Sequence, residues 1–212
     1  MTGTGGAGTP RERYRAQVRA EVKERAWEQI ASAGASALSL NAIAKQLGMS
    51  GPALYRYFAG RDELITELVR DAYRSLADAV RAADGDVTSL AGAPRTWALA
   101  DPHRCFLVYG TPVPGYQAPD DITDIASEIM ARLLDACAGL PADGARTPLD
   151  THLDEHREWA DGHPAPAPAP RRAPAFWTRL HGVLSLELAG HFSGMGFDPA
   201  LLHAAELDSL GD

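Results

Sequence analysis

From residue 18 onward apolar side chains recur every fourth position, Val18, Val22, Ala26 and Ile30, with Arg and Glu between them. That period predicts an amphipathic helix over Pro10–Ala33. Gly34 closes it, in the position where a helix end favours glycine. Ser39 can cap a second, short helix whose Leu40, Ile43, Ala44 and Leu47 share one face. Gly48 stops it. Ser50 can cap a third, with Pro52 in its first turn, where a missing N–H costs nothing. After Ala59-Gly60 a long helix is expected over residues 61–83, with Leu64, Ile65, Leu68, Val69, Ala72 and Leu76 as its apolar stripe.

Beyond the turn Asp84-Gly85-Asp86 the pattern predicts helices over Val87–Ala100 and Pro102–Tyr109. A Pro/Gly-rich connection follows. Pro119, Asp120 and Asp121 open another helix to Ala138, with Ile122, Ile125, Ile129 and Leu133 in register. Residues 139–174 are polar and proline-rich and read as an exposed, extended loop, interrupted by a short helix around 150–160. An apolar helix over 175–192 and a last one begun by Asp198 and Pro199 complete the chain. Strand alternation is absent, so the expected fold is all-α: a three-helix head over residues 10–60 and a helical body over 61–212. Residues 1–9 read as a flexible tail.

Composition refines this picture. The chain is 45% hydrophobic and 23% charged, enough for a packed core. It has no apolar stretch long enough to span a membrane and no apolar leader, and its two cysteines suggest no disulfide framework. A cytoplasmic protein without a membrane partner is expected. Net charge is −8, yet through Gly60 eight Lys or Arg face four acids, while the remainder holds twelve bases and twenty-four acids. A basic head on an acidic body is the asymmetry expected where one end meets phosphate.

The two short helices joined by Gly-Met-Ser fit a helix-turn-helix, whose second helix enters the major groove, and on periodicity alone fit simple bundle packing equally well. Small residues at its leading edge, Gly51 and Ala53 after Ser50 and beside Pro52, let backbone approach DNA. Lys45, Tyr55, Arg56, Tyr57 and Arg61 can reach phosphates, which fix register without reading sequence. Of the rings, Tyr55 is expected to lie partly against the protein. Leu54 and Phe58 should anchor the helix from inside.

The stretch SLNAIAKQLGMSGPALYRYFAGRDELI resembles the DNA-binding segment of TetR-family transcriptional regulators at Ile43, Ala44, Leu47, Gly48, Ser50, Leu54, Tyr55, Phe58, Glu63 and Leu64. Tyr57 stands where that family often has His, and Arg61 where it often has Lys; both keep a hydrogen-bond donor. The resemblance implies operator DNA as partner, a homodimer, and a helical C-terminal domain that senses a small-molecule effector. No cofactor, metal or catalytic role is expected, because no catalytic or metal-ligand motif is present. FWTRLHGVLSLELAGHF resembles a subgroup with a Trp and a His-Gly pair in its penultimate helix, here Trp177 and His181-Gly182.

Trp97, Phe106, Tyr109, Tyr116, Trp177 and His181 are candidates for an effector pocket, or for ordinary core filling. Leu180, Leu184, Leu188, Phe192 and Leu202 are candidates for a two-fold dimer face. An enzyme reading would have to use His103 and Cys105, or His152 and His156. The first pair, two residues apart, does not share a helix face. The second lacks a third ligand at fixed spacing.

Overall fold

The computed structural model describes residues 9–110, 113–141 and 145–211, with side chains described to residue 209. The tail expected over residues 1–9 therefore lies, Thr9 apart, outside the described residues. The helices are α1 (Pro10–Ala33), α2 (Leu40–Gln46), α3 (Gly51–Leu54), α4 (Arg61–Ala82), α5 (Val87–Ala100), α6 (Pro102–Tyr109), α7 (Asp120–Ala138), α8 (Pro148–Glu155), α9 (Ala169–Leu188) and α10 (Pro199–Gly211). Single 3₁₀ turns occupy Ala35–Ala37 and Glu158–Ala160. Among the described residues there is no strand, as the all-α reading expects.

By contact the chain divides into two units. The first comprises Met1–Asp71 and His103–Ala118, the second Ala72–Pro102 and Pro119–Asp212. The helix-turn-helix motif suggested a division after residue 60; the contact boundary falls later, inside α4, and α6 goes with the first unit.

In the first unit Thr9 opens α1 with a capping box, its side chain receiving the Glu12 N–H while Glu12 reaches back to the Thr9 N–H. Val18, Val22, Ala26 and Ile30 are all buried, as their spacing requires. So are Ile43, Leu54, Phe58, Leu64, Ile65 and Leu68, each with no measurable exposure. Burial of such a side chain contributes about 1.5–3 kcal/mol.

In the second unit Phe176 and Leu180 of α9 pack with Leu133, Leu134 and Cys137 of α7, Ala91 of α5, and a set of alanines. Those alanines, Ala165, Ala169 and Ala173, come from the run expected to be an extended loop. The structure corrects that expectation for its second half: α9 begins at Ala169 and carries both Pro170 and Pro174. Pro170 falls in the first turn, where no N–H partner is lost. The alternating Ala-Pro run reads as solvated, but its methyl groups fill the core beside Phe176. Arg157 anchors the run by donating to the carbonyls of His163 (2.9 Å) and Ala165 (2.7 Å). Short α8 lies within the segment as expected, capped by Thr147 with Asp150 answering.

Candidate nucleic-acid interface

The turn between α2 and α3 is built from backbone bonds that the sequence makes possible. The Met49 N–H donates to the Ala44 carbonyl (2.9 Å) and the Gly48 N–H to that of Lys45 (3.2 Å). This double closure requires a left-handed residue, supplied by Gly48 at φ 65°. Ser39 Oγ accepts from the Ala42 N–H and Ser50 Oγ from the Ala53 N–H, both at 3.3 Å. Two capped helices thus meet at a glycine turn.

The α-helical part of the recognition segment is one turn, shorter than expected. It continues as turns in which Leu54 O accepts from the N–H groups of Tyr57 (2.8 Å) and Phe58 (3.2 Å). Leu54 and Phe58 point inward, fully buried. Lys45, Ser50, Pro52, Tyr55 and Arg56 are exposed; Gly51, Ala53 and Tyr57 are half-covered. A Cβ on Gly51 would meet only Asn41 Oδ1, at an ordinary 3.6 Å, so the protein itself does not demand glycine there.

Two placements differ from the sequence reading. Tyr57, not Tyr55, lies against the protein: Tyr55 is 48% exposed, whereas the Arg15 guanidinium stands 5.9 Å from the centre of the Tyr57 ring. Arg61 donates to the carbonyls of Ala35 (3.0 Å) and Ser36 (3.4 Å), bracing the turn after α1. Arg19, which the sequence reading passed over, holds this end of the motif. It lies over the Phe58 ring, donates to the Tyr57 carbonyl and pairs with Glu63 and Glu67 of α4. Its four-residue offset from Arg15 was the available signal, but nothing in that spacing says what either residue touches.

The pocket candidates fall in both units. In the first, Phe106 helps line a cavity of about 420 Å³ together with Ile30, Gly34, His103, Leu107 and Val113. Tyr109 and Tyr116 belong to the same unit but do not line that cavity; Tyr109 is half-buried, and the buried Tyr116 hydroxyl has no hydrogen-bond partner among the described residues. In the second, the Trp97 indole N–H donates to Ser75 Oγ (2.8 Å), and Trp177 and His181 stack with centroids 5.8 Å apart. Burial lowers the His181 pKa below its ordinary value.

Leu180 and Leu184, candidates for a dimer face, are buried within this chain's own second unit, leaving little area for a partner to cover. Leu188, Phe192 and Leu202 are half-covered. The exposed apolar residues here are instead Leu186 (45%), Met195, Phe197 and Leu201 (70%).

Cys105 is buried, and burial pushes its thiol up to about 11; Cys137 rises to about 11 for the same reason, against the opposing pull of Arg172. His152 and His156 stack on each other at 4.2 Å, with His156 Nδ1 2.9 Å from the His152 carbonyl.

Comparison with known proteins matches two family descriptions in succession along the chain, the second of which includes residues 103–118 that by contact lie in the first unit. The family described as "Bacterial regulatory proteins, tetR family" matches residues 24–68, and "Tetracyclin repressor-like, C-terminal domain" matches residues 87–210. An HTH-type transcriptional regulator of Mycobacterium tuberculosis is 37% identical over 211 residues, covering 91% of this chain and 90% of its own. A regulator of the same description from Mycobacterium bovis shows the same identity and coverage. The protein SCO4313, whose crystal structure is known, is 69% identical, with a TM-score of 0.89 over 95% of this chain and 98% of that one. A protein of unknown function from Rhodococcus sp. RHA1, 22% identical with a TM-score of 0.66 over 99% of this chain and 97% of its own, shares the fold.

Proposed function

Because this chain belongs to the TetR family and is a DNA-binding transcriptional regulator, we propose that it acts as a dimeric repressor released from its operator by a small molecule. The observation that carries the DNA-facing part is the split of the recognition segment. Leu54 and Phe58 are sealed inside while Tyr55 and Arg56 stand exposed behind the narrow edge of Gly51 and Ala53. A groove needs a thin leading edge and donors on its flanks. No catalytic step belongs to this role.

Two copies would join through α9 and α10, where Leu186 and Leu201 stand out from the surface. Two-fold pairing fixes the spacing of two recognition helices for two half-sites. The effector would sit in the second unit. Buried Trp159 Nε1 and Arg132 Nε have no hydrogen-bond partner among the described residues, which supports a ligand bearing acceptor atoms. Such a ligand releases DNA only if it favours the conformation with the wrong head spacing.

The test is a gel-shift titration on DNA upstream of the protein's own coding sequence, with candidate compounds chosen by thermal shift. A compound that raises the melting temperature and dissolves the retarded complex supports an effector-released repressor. Compounds that stabilise the protein while the complex persists would mark a DNA-binding dimer without effector control.

A further inference from the structure

We propose that Arg11 and Arg15 form a second row of phosphate contacts on the operator duplex, running along α1 beside the recognition segment. This rests on the chain's role as a DNA-binding regulator and adds a surface outside the helix-turn-helix itself.

The cations of α1 divide into two groups. Arg19 pairs with Glu63 (3.5 Å) and Glu67 (3.3 Å), Lys23 with Asp71 (2.5 Å), and Arg25 with Glu28. These are internal ties, to α4 or one turn along α1. Arg11, Arg13 and Arg15 are exposed and have no ion pair among the described residues. The neighbouring acid, Glu12, is engaged by the Thr9 N–H (2.7 Å) and hydroxyl (3.1 Å). Residues 1–8 contain no Asp or Glu that could neutralise them. Stability gives no reason for Arg11, since a cation in a helix's first turn opposes its dipole.

Position says where these charges act. Residues 11, 15 and 19 are four apart, so they share one face at a rise of about 6 Å per step. The inner end of that row is fixed at the recognition segment by Arg19 on Tyr57 and Phe58. Arg15 follows, 5.9 Å from the Tyr57 ring. Arg11 continues the line outward. A duplex seated on Tyr55 and Arg56 therefore meets the row as a continuation of the same positive surface. Arg13, about 200° around the helix from Arg11, faces elsewhere and serves as a control of equal charge.

The experiment is fluorescence anisotropy of the full chain on a labelled duplex of its upstream region, across about 50–200 mM salt. Arg11→Ala with Arg15→Ala should lower the salt slope by about 1.8 per bound protomer, about 3.6 for a dimer on two half-sites at roughly 0.9 per lost contact, and weaken binding at least ten-fold. Arg13→Ala should leave the slope unchanged. Arg11→Lys with Arg15→Lys should keep most of it, because the charge remains. Circular dichroism checks that each variant keeps its helix content. A double alanine variant that is folded yet shows the wild-type slope overturns the row. So does an Arg13→Ala loss of about half that size, one charge against two, which would reduce the effect to bulk charge. A wild-type chain that forms no complex at any salt would instead overturn the DNA-binding premise.

Discussion

The Arg19 guanidinium lies over the Phe58 ring, 4.1 Å from its centroid. One side chain of α1 thereby holds the end of the recognition segment, because it also donates to the Tyr57 carbonyl and reaches two carboxylates of α4. A cation over an aromatic face is worth about 0.5–1 kcal/mol and a charged hydrogen bond about 1.5–3 kcal/mol.

Arg19→Ala should therefore lower the unfolding free energy by about 2 kcal/mol. It should also weaken DNA binding by displacing Tyr57. Urea unfolding and anisotropy measure the two effects. An unchanged unfolding midpoint would mean that Arg19 is not a structural clamp.

Gly48 occupies the left-handed region with nothing within 4 Å of an added Cβ. Its constraint is conformational, not steric packing. Gly48→Ala should cost about 1–2 kcal/mol, and Gly48→Asn distinctly less, because Asn tolerates that region. Equal losses for the two would point to a contact rather than to φ.

Gly51 is the opposite case. Inside the protein a methyl group fits beside Asn41, and alanine is the better helix former by about 0.5–1 kcal/mol. Gly51→Ala should keep or raise the melting temperature while weakening operator binding roughly ten-fold, the loss of about one good base-edge contact. Full affinity in this variant would show that the leading edge does not approach DNA closely.

Much of this was legible in the sequence. The four-residue spacing of Val18, Val22, Ala26 and Ile30 gave α1, and Ser39, Gly48 and Ser50 marked the motif, because caps and left-handed turns are local chemistry. The Ala-Pro run was not legible. Whether Ala169 and Ala173 are solvated depends on Phe176 and Leu134, which no local pattern connects to them. The same limit hid the roles of Arg61 and Arg19: their types suggested phosphate or solvent, and distant carbonyls and rings decided otherwise.

Cys105 and Cys137, both raised to about 11 by burial, carry almost no thiolate at pH 8. Neither should react with iodoacetamide in the folded protein over an hour, and both should react on unfolding. Rapid alkylation of native Cys105 would reopen a nucleophilic role beside His103.

His203 is buried, and its pKa is lowered by burial and by Arg95, with Glu187 opposing; that of His181 is lowered by burial. The unfolded chain binds these protons near the ordinary 6.5 and the folded chain only at lower pH. Their contribution to stability is thus complete above pH 6.5 and is lost as pH falls through the folded values. Unfolding free energy should drop between about pH 7 and pH 5. His181→Gln with His203→Gln should flatten that drop, and a wild-type curve level across this range would contradict the burial argument.

Selection from a random-sequence duplex library by the full chain at low salt reads out the paired recognition segments. A two-fold helix-turn-helix dimer should enrich one site made of two inverted half-sites, and that site should bind more weakly when Tyr55 and Arg56 are both replaced by Ala. Recovery of no preferred sequence, or undiminished binding of the selected site by the Tyr55→Ala, Arg56→Ala variant, would contradict that expectation.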